Sequence, residues 1–210
     1  MFKHLIDNVC YLRKPILKTI MKKINFLLAL VLLAGASYAQ STWTVDKAHS
    51  KLGFTVTHLL VSEVDGTFNA FDAKITSSKE DFSDAVIELT ADIATVNTNS
   101  DGRDKHLKSP DFFEAEKFPT LTFKSTSIKK VDAKTYKVAG DLTMHGVTKP
   151  VELDAILTGT TVHPYNKKTI AAFKVGGVIK RSDFTVGTAT PVAVVGDEVT
   201  LLAKAEFVKN

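Results

Sequence analysis

The amino-acid sequence predicts an all-β fold, an extended lipocalin-like antiparallel β-barrel of about eight strands with one or two short helices. Three observations predict it. Apolar residues recur at every second position over many separate stretches, with Thr, Lys, Asp or Glu between them, the pattern of a strand with one dry and one wet face. No long helical pattern alternates with these stretches, so the arrangement is not that of a parallel sheet with crossover helices. A set of half-dry antiparallel strands must curl around something apolar, and closing the sheet removes its exposed edges.

Residues 1–39 stand apart from this rhythm. Met21, Lys22 and Lys23 form a basic start, Ile24 to Ala36 is almost wholly apolar, and Ser37, Tyr38, Ala39 places small residues where a signal peptidase inspects. We read an N-terminal extension and secretory signal peptide over 1–39, cleaved near Ala39, and one domain over 40–210. The apolar run is shorter than the roughly 20 residues of a spanning helix, so the expectation is a periplasmic or secreted protein without stable membrane insertion. Residues 1–39 hold six of the 27 Lys and Arg and one of the 23 acids, which leaves 21 basic against 22 acidic side chains. A net charge of −1 removes the argument for nucleic acid that the whole chain's basic excess suggests. Cys10 also lies in the leader, so the remaining domain has no disulfide, Cys nucleophile or Cys-ligated metal.

The first clear strand carries Ser50, Leu52, Phe54, Val56 and His58 on one face. Trp43 precedes it and reads as a plug in the core. Phe68 and Phe71 differ in parity, which predicts a bulge between them or one ring turned outward. Ile87, Leu89, Ala91 and Ile93 form the next alternating set. Asn97 to Pro119 interrupts the rhythm: Asp101 to Leu107 has helical spacing, and Ser109-Pro110 opens what reads as a second brief helix. Alternation returns in Leu121 and Phe123, in Tyr136 through Met144, and in Val151 through Leu157. His145-Gly146 is placed to turn a hairpin between the last two. Gly176 to Asp197, with four glycines and Pro191, reads as a bent strand and a long loop. Val199, Leu201, Ala203, Ala205 and Phe207 close the series.

Small residues at inward positions decide whether such a barrel is filled or hollow. Ser50, Val56, Ala91, Ser125, Gly140, Ala155, Ala203 and Ala205 are small, which favours a cavity over a filled core. A ten-residue strand is about 33 Å long and its tilt reduces the span to roughly 25 Å, so the cavity is a tube. Its guest is long and apolar: about 15 buried carbons give roughly 12 kcal/mol before association costs.

Several motifs then fall in a recognisable order. They are Trp43-Thr44-Val45-Asp46, His49-Ser50, Val64-Asp65-Gly66-Thr67-Phe68, Asn97-Thr98-Asn99, Arg103-Asp104-Lys105-His106-Leu107 and Ser109-Pro110-Asp111-Phe112-Phe113. Phe118 through Phe123, Gly140 through Pro150, and Arg181-Ser182-Asp183-Phe184 complete them. In this order and spacing the chain closely resembles the YceI-like family of exported bacterial proteins, over essentially all of residues 40–210. The resemblance implies a lipocalin-like barrel whose lumen holds a polyisoprenoid chain or isoprenoid quinone. Where the resemblance leads one to expect glycine after Phe184, this chain has Thr185, which puts the local turn in question.

The inward apolar residues expected to touch the guest are Leu52, Phe54, Val56, Phe68, Leu89 and Ile93. To these the second half of the chain adds Leu121, Phe123, Leu142, Met144, Leu153, Leu157 and Leu201. The short helix, with Arg103, His106 and Leu107, forms the expected lid, His58 ends its strand at the mouth within reach of a ligand head group, and Phe112 and Phe113 plug one end of the tube. Arg103 and Asp104 have a second reading, as residues that hold the short helix down. His49, His58, His106 and His145 show no metal-ligand spacing, so neither a metal nor a cofactor is expected, nor any catalytic residue. The function read from this is an exported binding protein that sequesters or transports a long-chain apolar lipid. A histidine-dependent enzyme acting on a lumen-bound lipid and a filled-core interaction module remain the alternatives, and oligomeric state is open.

Overall fold

Alternating residues become ten strands and one helix in the computed structural model, which describes residues 40–210. The predicted leader and its cleavage point before Gln40 lie outside the described residues. The strands are β1 (Ser41–His58), β2 (Ser62–Phe68), β3 (Phe71–Ser77), β4 (Val86–Asp92), β5 (Val96–Asn97), β6 (Thr120–Lys130), β7 (Thr135–Met144), β8 (Val147–Val162), β9 (Thr169–Lys180) and β10 (Val195–Lys209). Helix α1 spans Asp101–Leu107, the residues whose spacing predicts it. All pairings are antiparallel, and eight strands close a ring in the order β1, β10, β9, β8, β7, β6, β4, β3 and back to β1. The remaining two, β2 and β5, extend the wall beside the upper half of β1. The closed antiparallel barrel of about eight strands is therefore what the chain forms.

Three details depart from the sequence reading. The segment opening at Ser109-Pro110 is a run of turns rather than a second helix, with the Phe112 and Glu114 amides both donating to the Ser109 carbonyl. Phe68 and Phe71 are both buried, because the chain turns at Asn69-Ala70 and starts β3 in a new phase. Neither a bulge nor an outward ring is needed. In β1, register with β10 slips between Asp46 and Lys51, so inward parity passes from Trp43 and Val45 to Leu52 and Phe54. Ser50 belongs to that slip, where its hydroxyl accepts from the Glu206 amide at 3.0 Å, and it does not widen the bore.

The slip also forks the wall. On one edge β1 pairs with β3 over Ser41–Thr44 and with β2 over Leu52–His58, and between these spans that edge makes no strand pairing among the described residues. Elsewhere the connections are tight. Met144 pairs with Val147, so His145-Gly146 is a two-residue hairpin with both residues at positive φ, as the sequence predicts.

Candidate functional site

Aromatic residues seal one end of the barrel. Trp43 and Phe82 meet with ring centroids 5.1 Å apart, Phe82 and Phe173 at 5.2 Å, and Phe173 and Phe207 at 6.1 Å. Phe82 lies on the connection between β3 and β4, which crosses this end and leaves its ring only 2% exposed. Beside it the buried Tyr136 donates its hydroxyl to the Asp81 carbonyl at 2.7 Å, so the one polar atom of that ring is satisfied.

Above the seal the inward residues no longer fill the bore. Leu52, Ile87, Leu89, Leu153, Val175 and Leu201 face inward and yet are half-buried, because they border a hollow. The hollow is a chamber of about 130 Å³, with Lys51 as the one charged residue on its wall among the described residues. A single water needs about 10–15 Å³ of such space, so the chamber has room for roughly ten methylene-sized groups. Its apolar lining offers water no hydrogen bonds, which leaves an apolar occupant as the favourable one. A second apolar chamber of about 80 Å³ lies toward the α1 end, and the two abut at Leu121 and Leu201, which line both.

Predicted contact residues divide among these spaces. Leu52, Leu89, Phe123, Leu142 and Leu153 line the central chamber. Phe54, Val56, Leu107, Phe112, Phe113 and Met144 line the upper one. Phe68, Ile93 and Leu157 pack in or against the core without bordering either chamber. His58 ends β1, opposite Ser62 and Val195.

The polar lid residues lie elsewhere than a ligand contact requires. Arg103 gives Nε and Nη2 to the hydroxyl and carbonyl of Thr98, both at 2.7 Å, and the Asp104 carboxylate accepts from the Thr98 amide at 2.8 Å. Both side chains thus fasten α1 to the end of β5. His106 is exposed and faces Asp111 at 3.3 Å, outside both chambers. His145 sits in its hairpin with Nδ1 2.8 Å from the Thr185 hydroxyl and Nε2 3.6 Å from Glu114. Opposing strands also bring Glu206 to Asp46 and His49, which spacing along the chain does not reveal. The Asp46–His49 hydrogen bond raises the His49 pKa and lowers that of Asp46.

Other lining residues escape the sequence reading. Phe71, Ala73, Phe173 and Val175 border the central chamber, and Ile179, Arg181 and Val186 the upper one. The alternation Phe173, Val175, Gly177, Ile179 carries the signal for β9, but the Gly176-Gly177 pair masks it. Two glycines do the reverse of what small size suggests: a Cβ on Gly140 would collide with the Phe123 ring, and one on Gly66 with the Phe54 ring. They seat aromatic rings against the wall instead of opening space.

Arg181 is 5% exposed and all five of its N–H groups donate to backbone carbonyls. Its partners are Gly196 at 3.1 Å, Val186 at 3.1 Å, Thr190 at 2.8 Å, Val195 at 3.0 Å and Gly187. One buried cation therefore gathers the whole connection from β9 to β10 over the upper chamber. Burial pushes the nearby Asp197 carboxyl up, but hydrogen bonds from Ser182 and the Arg181 and Lys180 cations outweigh it, leaving the pKa lowered. Phe112 completes this cover, its ring lying where a Cβ on Gly187 would be.

The family model of the YceI-like domain matches residues 43–207. Protein YceI of Salmonella newport is 37% identical over 194 residues, covering 90% of this chain and 100% of that one. The crystal structure of the Campylobacter jejuni YCEI protein has a TM-score of 0.67 at 36% identity, covering 79% of this chain and 96% of that one. A polyisoprenoid binding domain from Saccharophagus degradans shares the fold, with a TM-score of 0.58 at 17% identity over 80% of this chain and 98% of that one. From the barrel, its motifs and these matches, the chain belongs to the YceI-like family.

Proposed function

We propose that this protein holds a long apolar lipid of the isoprenoid class in its two chambers, for sequestration or transport, and performs no chemistry on it. The observation that carries this reading is the central chamber: a ring of eight strands around unfilled, almost entirely apolar space. Packed interiors leave few voids larger than a water, so a hollow of this size is an expense of stability that a guest offsets. A branched, flexible chain suits a bore walled by Leu, Val, Ile and Phe, and the fold shared with a polyisoprenoid binding domain agrees with that class. None of His49, His58, His106 or His145 borders either chamber, which favours binding over histidine chemistry.

Export belongs to the same proposal. The basic and apolar pattern within residues 1–39 supports cleavage before Gln40, and among the described residues no helix is long and apolar enough to cross a membrane. Native mass spectrometry of protein purified without detergent tests the cargo directly. A stoichiometric prenyl lipid is expected, on a chain beginning at Gln40. A bare chain that also fails to take up added prenyl alcohols or quinones removes the reading.

A further inference from the structure

The end of the barrel opposite the seal carries an aliphatic tip. Leu59, Leu60 and Val61 join β1 to β2 and are 52%, 69% and 86% exposed. Val192 and Val194 stand exposed on the connection from β9 to β10. The Leu59 amide donates to the Val194 carbonyl at 3.0 Å, so the two connections touch and their five aliphatic side chains belong to one patch. Single exposed valines and leucines are ordinary on a protein surface, whereas a cluster of them marks a contact site.

Three properties say what kind of surface this patch meets. No Asp, Glu, Lys or Arg occurs from Leu59 to Ser62 or from Phe184 to Gly196, so the tip presents no charge for a protein partner to read. Its backbone is largely paired with itself: the Val61 amide donates to the His58 carbonyl at 3.2 Å, and the Val194 and Val195 amides donate to the Pro191 carbonyl at 2.8 and 3.1 Å. Paired amides have nothing to offer an added strand, and pairing is what hydrocarbon demands of a backbone that enters it. Finally, Leu59 and Leu60 both take positive φ, 51° and 62°. Glycine or asparagine makes such a turn without strain, yet these positions hold exposed leucines.

The patch is also continuous with the lumen. Val56 and Val195, on the two strands that border the tip, line the upper chamber. Val195 adjoins the exposed Val194 and is directly opposite His58, the residue before Leu59. An aliphatic path therefore runs from the upper chamber to the outer surface.

We propose that this tip is a membrane-docking surface: Leu59, Leu60 and Val61, with Val192 and Val194, enter the apolar layer of a lipid bilayer and bring the upper chamber against it. The choice of a bilayer rests on the lumen-binding reading above, because a prenyl lipid is itself a bilayer component and has to leave one to reach the chambers. The contact is apolar, so it depends on neither anionic lipid nor low salt.

The test is flotation with phosphatidylcholine vesicles of the processed chain from Gln40, which contains the whole barrel, as wild type and as a Leu60→Gln, Val61→Gln double variant. Neither side chain lines a chamber. The wild type is expected to float with the vesicles, undiminished at about 1 M salt, and the double variant to partition about tenfold or more weakly. A Leu60→Trp variant reports insertion: its emission shifts to the blue on vesicles and is quenched by brominated acyl chains, while Trp43 at the sealed end gives the background. The double variant keeps its affinity for geranylgeraniol added from solution. Wild-type protein that stays with the buffer, or a double variant that floats equally well, overturns membrane docking and leaves the lumen reading standing. Flotation that needs anionic vesicles and is lost in salt also overturns it, since charge and not the tip then holds the protein. So does a wild type that dimerises in sedimentation where the double variant does not, because a second copy then covers the patch. Geranylgeraniol that fails to bind a wild type that floats as expected sinks the lumen reading and leaves the membrane contact in place.

Discussion

The sealed end and the middle of this barrel are built from the same alternating strands and reach opposite results. At the seal, Trp43, Phe82, Phe173 and Phe207 interlock ring against ring, and the inward residues are buried. In the middle, Ala73, Ala155, Ala203 and Ala205 line the wall, and the leucines that face them reach into open space. Stability is thus concentrated at one end and capacity in the centre. The alternation of a strand says which side chains face inward, and their size decides whether they meet.

Truncation separates the two regions most sharply. Phe82→Ala removes the ring that bridges Trp43 and Phe173, and is expected to cost about 3–5 kcal/mol in denaturant unfolding. Leu153→Ala borders a cavity that already exists, so little new void is created and the expected cost is about 1–2 kcal/mol. Equal costs at the two sites would mean that the middle is packed as tightly as the seal.

Filling is the converse. Ala203→Trp places an indole in the central chamber, and the expected result is a loss of prenyl-lipid affinity of about 100-fold or more with a cooperative unfolding transition retained. A tryptophan at this position that leaves lipid uptake unchanged would place the guest outside the chamber.

Much of this contrast is legible in the sequence, and the parts that are not have physical causes. Inward sets on β7 and β10 follow directly from period-two alternation, and α1 follows from its helical spacing. The seal is harder to foresee because Phe82 lies on a connection, at a positive φ of 57°, and no strand pattern predicts that a loop crosses the bore. Gly140 misleads in the opposite direction: its small size reads as free space, but the Phe123 ring occupies it. Arg181 is visible as part of a motif, whereas its role depends on carbonyls spread from Val186 to Gly196 and exists only once that loop is folded. Cross-strand neighbours are equally hidden, since Lys51, Lys204 and Lys174 on β1, β10 and β9 come side by side only through strand register.

The cover of the upper chamber adds a third kind of construction, held by hydrogen bonds to one cation. Arg181→Lys keeps the charge and offers three donors in place of five, so carbonyls among Val186, Gly187, Thr190, Val195 and Gly196 lose their partner. A loss of about 2 kcal/mol or more is expected, with faster amide exchange over residues 185–196 and little change at the seal. Exchange that quickens uniformly over the barrel would instead make Arg181 part of the general core.

Acid reaches the sealed end through two carboxyls on the β3–β4 connection, Asp81 and Asp84. The Lys130 hydrogen bond is the largest cause holding the Asp81 carboxyl well below its ordinary range. For Asp84, burial pushes up and hydrogen bonds from Ser77, Ser78 and Lys79 outweigh it. Carboxyls with lowered folded-state pKa values contribute stability that is complete above the unfolded value of 3.8 and is lost as pH falls through the folded values. Both residues hold the connection that carries Phe82 onto Trp43, the single tryptophan of the chain. Tryptophan fluorescence is therefore expected to hold from about pH 7 to pH 4 and to change below that, with Asp84→Asn moving the change to higher pH. A fluorescence change centred near neutral pH would assign it to another group.

The smallest effect falls on the upper cover, where two opposing terms nearly cancel. Thr185 takes φ 57° and ψ 22°, the left-handed conformation natural to the glycine that the family resemblance leads one to expect. A side chain there costs about 1 kcal/mol, and the 2.8 Å hydrogen bond between the Thr185 hydroxyl and His145 returns about as much. Thr185→Gly relieves the strain, loses the bond and gains freedom in the unfolded chain, so stability is expected to stay within about 0.5 kcal/mol of wild type. Thr185→Ala loses the bond and keeps the strain, and is expected to be about 1 kcal/mol less stable, a shift of roughly 2–4 °C in Tm. The alanine variant separates the terms: if it unfolds with the wild type, the His145 contact contributes nothing and the left-handed turn is held by its backbone hydrogen bonds to Arg181 and Ser182.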